Sequence, residues 1–267
     1  MKEFRRNNVE ATFNLMNAAT AERILHVVYI SSAASYGRQA NTLLTEESAL
    51  RQEHDPYCET KLHCEELVRS ACERTGIRGT ILRPSIIYGP YDRRFLIPII
   101  QHMRKGTMLA IGKRNQGPPL VYGKDVAALI HCLLAQSSSG VETYNVCSHE
   151  VVSWEEIVQQ LGDALQLPTG VKRIPYSVAY GLGSVMEWCW NIAGASHPPL
   201  LTRFLVGLIG LQYSFDSSKA LTVKGFRGFT AFSRGLRETL EWICAEQHML
   251  RQTSSRQNEM EAAYGLA

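Results

Sequence analysis

The sequence predicts an α/β fold built on a parallel sheet. Two apolar, β-branched runs, at 24–30 and 79–88, alternate with stretches of helical periodicity at 9–20 and 56–75. A small polar segment, Ser31 to Gly37, follows the first run, where an open parallel sheet would place a ligand. Gly76 stands between the second helix and the next strand, as a helix terminator should.

Each element has a local reason. In 9–20 the residues Val9, Phe13, Leu15, Met16 and Ala19 recur at helical spacing, and Ile24 to Ile30 is continuous enough for a buried strand. Pro56 suits the first turn of a helix running to about Thr75, because its missing N–H costs nothing there. The run 79–88 reads as one strand leading into a Gly-Pro turn. Helices are expected over 95–105 and 124–136, and short strands over 107–111, 142–147 and 170–175. Between them, Ser153 and Glu156 stand at capping-box spacing for a helix over 153–166. The last third reads as helix-rich, and the tail from Arg251 as polar and poorly ordered. The domain expectation is 1–105 for the sheet with the chemistry, 106–250 for a mixed substrate-binding region, and 251–267 for the tail.

Composition narrows the function. The 267 residues are 45% hydrophobic and 20% charged, enough to bury a core. A net charge of +3 without a basic, aromatic stripe argues against nucleic acid. The seven cysteines are odd in number and have no matching histidine pairs, so neither a disulfide framework nor a metal site is expected, Cys58, His63 and Cys64 notwithstanding. The charged start from Met1 to Asn8 has no apolar leader, which with the free thiols predicts a reducing, cytoplasmic setting. The apolar stretches 176–193 and 199–211 are not read as spans: Glu187 interrupts the first, and the second is too short for a bilayer core of ~30 Å. They remain compatible with peripheral membrane contact.

Three motifs carry the chemistry. Ser31-Ser32-Ala33-Ala34-Ser35-Tyr36-Gly37 ends the first strand, Tyr57-Cys-Glu-Thr-Lys61 lies in the following helix, and Arg83-Pro84-Ser85-Ile86-Ile87-Tyr88-Gly89-Pro90 ends the next strand. Tyr57 and Lys61, four apart, rise from one helix face. Such a pair is an ordinary accident in a chain with eleven tyrosines, and its bland reading is a solvated face. Its position between the two strand-end motifs is what favours function. A phenol with a pKa of about 10 is a poor base unless a cation stabilises the phenolate, and Lys61 would be that cation. Tyr57 would then exchange a proton with a substrate alcohol while Ser32 holds the substrate oxygen. Ser31 and Ser35 read as polar turn residues.

These motifs resemble the extended short-chain dehydrogenase/reductases, which carry a Ser/Thr-Tyr-Lys catalytic set. The resemblance implies a Rossmann-like parallel sheet with a smaller, helix-rich C-terminal substrate domain, and NAD or NADP as cofactor. It puts the family's serine on Ser32, beside Ala33 in the substrate site, and its supporting asparagine on Asn8, for which helix capping is a near-equal reading. It also implies that Tyr57 and Lys61 reach the nicotinamide ribose and that Pro84, Ser85 and Ile86 lie beside the ring. Val121-Tyr-Gly-Lys-Asp-Val126, Tyr144-Asn-Val146 and Tyr213-Ser-Phe-Asp216 extend the likeness. Pro90 with Asp92-Arg93, Ile174-Pro-Tyr-Ser177 and Pro198 to Arg203 resemble the 3β-hydroxysteroid and sterol-carboxylate dehydrogenase branch, which implies Arg93 in the substrate site. Trp188, Trp190, Phe204 and Leu208 would suit a greasy substrate but read first as plain core.

The departure lies at the start, where the family's Gly-rich turn for the dinucleotide pyrophosphate has no counterpart, so an N-terminally truncated sheet is expected. The strand 24–31 would then have an open edge, which invites a partner. The isolated chain is expected to bind NAD(H) or NADP(H) poorly, a point calorimetry would read directly. Three functions follow: an oxidoreductase acting on a sterol-like secondary alcohol, a nucleotide-sugar epimerase or dehydratase, and a non-catalytic remnant. A homodimer is expected from the resemblance alone.

Overall fold

The computed structural model describes residues 2–51, 55–137, 139–193 and 201–246. A helix begins at Lys2, passes through a π-helical turn at Arg5–Glu10 and continues as α1 (Ala11–Ala21). Then come β1 (His26–Ile30), β2 (Leu43–Leu44), α2 (Pro56–Thr75), β3 (Arg78–Pro84), β4 (Ile86–Tyr88) and α3 (Leu96–Arg104). The chain goes on through β5 (Leu109–Ile111), β6 (Leu120–Tyr122), α4 (Gly123–Leu134), β7 (Val141–Val146), α5 (Trp154–Leu165) and β8 (Lys172–Ile174). It ends with α6 (Tyr176–Ala193), α7 (Arg203–Gly210), β9 (Ser214–Phe215), α8 (Ser218–Leu221) and α9 (232–246).

Every strand pair is parallel. The main sheet has the order β1-β3-β7, with Val28 opposite Thr80 and Ile81 opposite Thr143; β4 pairs β6, β5 pairs β8 and β2 pairs β9. Alternation along β3 explains the layering, since successive strand residues face opposite sides. Ile81 packs with Met16, Val68 and Ala71 from α1 and α2, while Leu82 packs with Val121, Leu129 and Tyr144 on the other face. Among the described residues β1 has no strand on its outer side. Its end residue Ile30 is 42% exposed, and Leu25 just before the strand and Phe13 on α1 are exposed as well.

The helix α2 has the boundaries its sequence implies. The Asp55 carboxylate accepts from the N–H groups of Tyr57 and Cys58, Pro56 fills the first position, and Gly76 closes the helix at φ +74°. Ser153 and Glu156 form the expected capping box at the start of α5. The predicted strand 79–88 is two strands. After Pro84 the Ser85 N–H still bonds Val146 O, but the Ile86 N–H bonds Pro119 O, so the chain changes partner from β7 to β6 at Ser85. The short β2, β6 and β9 were not expected; each depends on a distant partner rather than on a run of its own.

Trp188 and Trp190 are not core: they are 65% and 36% exposed. The inner face of α6 carries Ala179 and Gly183, and a Cβ on Gly183 would lie 3.2 Å from the Thr202 backbone where α7 begins. That close crossing turns the larger side chains outward. Phe204 and Leu208 lie on α7 with side chains outside the description, and Pro198 and the 251–267 tail are outside the described residues. Among the described residues, no helix is long and apolar enough to cross a membrane, and no group of three or more His, Cys, Asp or Glu could hold a metal.

Candidate active site

A cavity of about 380 Å³ opens at the carboxyl ends of β1 and β3. Ser32, Ala33, Tyr57, Lys61 and the Pro84-Ser85-Ile86 segment all line it, so three stretches far apart in sequence converge. Asn8 and Arg93 do not. The Asn8 amide, in the π-helical turn, donates to Thr60 Oγ1 at 2.9 Å, one residue from Lys61. Irregular helical turns of this kind recur near functional sites. The Arg93 guanidinium is exposed and ion-paired with Glu246 on α9.

Ser32 ends β1 and turns the chain into a short 3₁₀ segment, its Oγ accepting from the Ala34 N–H at 3.1 Å. The same hydroxyl faces the Tyr57 side chain across the cavity that both line. Lys61 donates to Ile30 O at 2.9 Å, and its ammonium lies 5.9 Å from the centre of the Tyr57 ring and 5.2 Å from that of Tyr29. Burial raises the Tyr57 pKa above its ordinary 10.0, with the nearby Ser32 hydroxyl acting in the opposite direction. Burial also lowers the Lys61 pKa below 10.5, with Cys64 and Glu65 pulling the other way. The site therefore holds a neutral phenol beside a cation whose proton is less tightly held than in water. This arrangement can give a proton to a developing alkoxide, or take one back when a further positive charge arrives.

Behind this loop lies a polar network that sequence reasoning missed. Ser31 Oγ donates to Glu65, and the Glu65 carboxylate pairs with the Arg83 guanidinium at 2.7 Å, both side chains only 4% exposed. Arg83 Nη1 reaches the Tyr36 hydroxyl at 3.0 Å, and that hydroxyl bonds Asn145 Oδ1 at 2.6 Å. Asn145 in turn bonds the carbonyls of Leu44 and Asp216. Burial alone would lower the Arg83 pKa; Glu65 and Tyr36 outweigh it and keep the guanidinium charged. One signal for Glu65 was present. It continues the Tyr57, Lys61 series at i+4, on the same helix face. The far wall of the cavity, Tyr213 and Phe215, stacks at 6.3 Å between ring centres.

The Ser85 hydroxyl is buried at the cavity wall without an oxygen or nitrogen partner. Its polar neighbour is the Cys147 thiol, whose own pKa burial pushes up to about 11. A thiol is a weak partner, so Ser85 retains bonding capacity toward a ligand amide.

The chain is 27% identical over 248 residues to a 3β-hydroxysteroid-dehydrogenase/decarboxylase of Arabidopsis thaliana, a match covering 88% of this chain and 44% of that one. It is 26% identical over 239 residues to a 2-alkyl-3-oxoalkanoate reductase of Stenotrophomonas maltophilia, covering 86% and 72%. The chain thus spans about half the length of the plant relatives it matches. Among solved structures, MoeE5 in complex with UDP-glucose and NAD superposes with a TM-score of 0.70 at 23% identity, over 91% of this chain and 73% of that one, a likeness of fold. The model of the NAD dependent epimerase/dehydratase family matches residues 1–147, the stretch that carries the serine loop, the tyrosine helix and the β3 strand end, and the chain belongs to that family.

Proposed function

We propose that this chain is the catalytic and substrate-binding part of an NAD(P)-dependent oxidoreductase that acts on a secondary alcohol of an apolar, 3β-hydroxysteroid-like molecule. The observation that carries the reading is the convergence of Ser32, Tyr57 and Lys61 on one cavity at the carboxyl ends of β1 and β3. The buried Ser85 hydroxyl and the adjoining Pro84 and Ile86 backbone fit the nicotinamide end of the cofactor, which Lys61 would hold through the ribose. When bound, the nicotinamide supplies or accepts the hydride.

The rest belongs to the chain. In the reducing direction Ser32 orients the substrate oxygen and Tyr57, kept neutral by burial, donates its proton to that oxygen. The Lys61 ammonium stabilises the phenolate left behind. In the oxidising direction the same proton returns to Tyr57. Asn8 acts one step removed, through Thr60 on the helix that carries both groups. The sterol-like assignment is supported by the name of the plant relative and by the apolar part of the lining, which includes Ile30, Ile86, Ile87, Pro119 and Phe215.

A nucleotide sugar is the second reading, favoured by the UDP-glucose bound to the structural neighbour. A diphosphate calls for several bases, whereas only Arg38 and Lys61 of the cavity lining are basic. The test is cofactor-linked turnover of a sterol panel and a nucleotide-sugar panel at saturating NAD(P)(H). Tyr57→Phe should cost about a hundredfold or more; unchanged turnover would remove the reading.

A further inference from the structure

The face of α6 turned away from α7 is apolar and exposed. Ala179 and Gly183 form the buried side, with Gly183 against the start of α7. On the opposite side Val178, Leu182, Val185 and Ile192 are each half to two-thirds exposed, and the Cys189 thiol is exposed and free. The five positions advance by four, three, four and three residues, which is the spacing of a coiled-coil seam. Trp188 and Gly181 run along one flank of that seam, and a Cβ added at Gly181 would meet nothing within 4 Å. No Lys or Arg stands on α6, and its single acid, Glu187, is held by Arg203 at 2.6 Å.

We propose that this seam is the contact surface for a second copy of the same chain, with the two α6 helices antiparallel about a two-fold axis at the level of residues 183 and 184. In that register Leu182 of each copy meets Val185 of the other, Cys189 meets Val178, and Trp188 lies over the open space at Gly181. One helix supplies both the bulky group and the gap that admits it, as a contact between identical surfaces requires. A lipid surface is a poorer occupant, because a helix lying on a membrane carries Lys and Arg beside its apolar face and α6 has neither. Area sets the strength. Trp188, 65% exposed, offers about 100 Å² or more, and the seam with its copy comes to roughly 1,000 Å², the lower bound for a specific contact. The dimer is therefore weak and forms with rising concentration. It needs no cofactor and is independent of the oxidoreductase reading.

The test is sedimentation velocity on the whole chain over a series from micromolar to several hundred micromolar. The wild type should pass from one copy to two across the series. Val185→Lys sets two cations beside the axis and should weaken association about tenfold or more, with the melting temperature of the single copy unchanged because Val185 is exposed there. Adding Leu182→Glu to that variant should restore association, since each new lysine then faces a carboxylate of the other copy. The register is read by chemistry: oxidation of a chain carrying Val178→Cys and Cys244→Ser should give a covalent dimer that a further Cys189→Ser change abolishes. Positions 178 and 189 lie about 16 Å apart along one helix, too far for a bond within a copy. A wild type that stays single throughout would overturn the proposal, as would a dimer that Val185→Lys leaves intact or a Val178→Cys chain that does not link. A covalent dimer of the oxidised wild type that Cys189→Ser removes would overturn it in favour of parallel pairing. A single-copy wild type that floats with vesicles of phosphatidylcholine and phosphatidylserine, and is released by Val185→Lys, would overturn it in favour of a lipid surface.

Discussion

The interior behind the serine loop and the interior between α3, α5 and α9 are both sealed from water, yet they are made of different material. Behind the loop, Ser31, Glu65, Arg83, Tyr36 and Asn145 form one bonded chain around a buried ion pair. The other core is apolar, with Leu96, Met103, Ile157 and Leu161 nearly or fully buried, and its indole Trp154 bonds only the Ile209 carbonyl. Apolar burial is non-directional and tolerates repacking, so it supplies stability without specifying one orientation. A buried ion pair adds little net stability but leaves few geometries open. Positional accuracy is kept on the polar side: the network ties β1, α2, β3 and β7 together directly beneath the cavity that holds Ser32 and Tyr57.

Glu65→Ala should have the largest effect. It leaves the Arg83 guanidinium buried without its counter-charge and should lower the unfolding free energy by about 3–5 kcal/mol in urea titrations. Turnover per folded molecule should fall with it; a stable variant with normal turnover would dissolve the distinction. Leu161→Ala in the apolar core should cost about 3 kcal/mol by the same measurement while turnover per folded molecule stays as it was.

A smaller effect sharpens the polar side. Burial lowers the Lys61 pKa, so its ammonium is lost at lower pH than for a free lysine, and turnover should fall on the alkaline limb. Lys61→Arg keeps its charge across that range and should flatten the limb, at a cost of about tenfold at neutral pH for the altered geometry. The smallest effect lies on the surface of α9. The Glu238 carboxylate is held down to about 2 by Lys124, Tyr122 and Arg234. Its contribution is fully present above the unfolded pKa of about 4.5 and is lost as pH falls toward about 2. Glu238→Gln should be slightly less stable than the wild type at neutral pH, flatten acid unfolding in that window, and converge with the wild type at its acid end.

Much of the fold could be read from the residues. The α2 boundaries followed from Asp55, Pro56 and Gly76, and the start of α5 from Ser153 and Glu156, because helix ends are decided by a few side chains within one turn. The one-strand reading of 79–88 missed the change of partner at Ser85, since an apolar run has the same appearance whichever strand it pairs with. The outward Trp188 was missed for a related reason: the composition of α6 is apolar, and only the Gly183 crossing shows which face is covered.

By itself the sequence determined the order of helices and strands, the one-turn separation of Tyr57 and Lys61, and the placing of Ser32 at a strand's end, all consequences of local periodicity and local capping. Only the packed molecule brings Ser32 and Tyr57 to one cavity, turns Glu65 inward to Arg83 rather than out to water, pairs Arg93 with Glu246, and rests Arg38 between Tyr180 and Gly207. The reason is range. Backbone hydrogen bonds and capping act over a few residues, whereas a buried charge or a cavity wall is completed by groups dozens to more than a hundred positions away, and their meeting is set by how the layers pack.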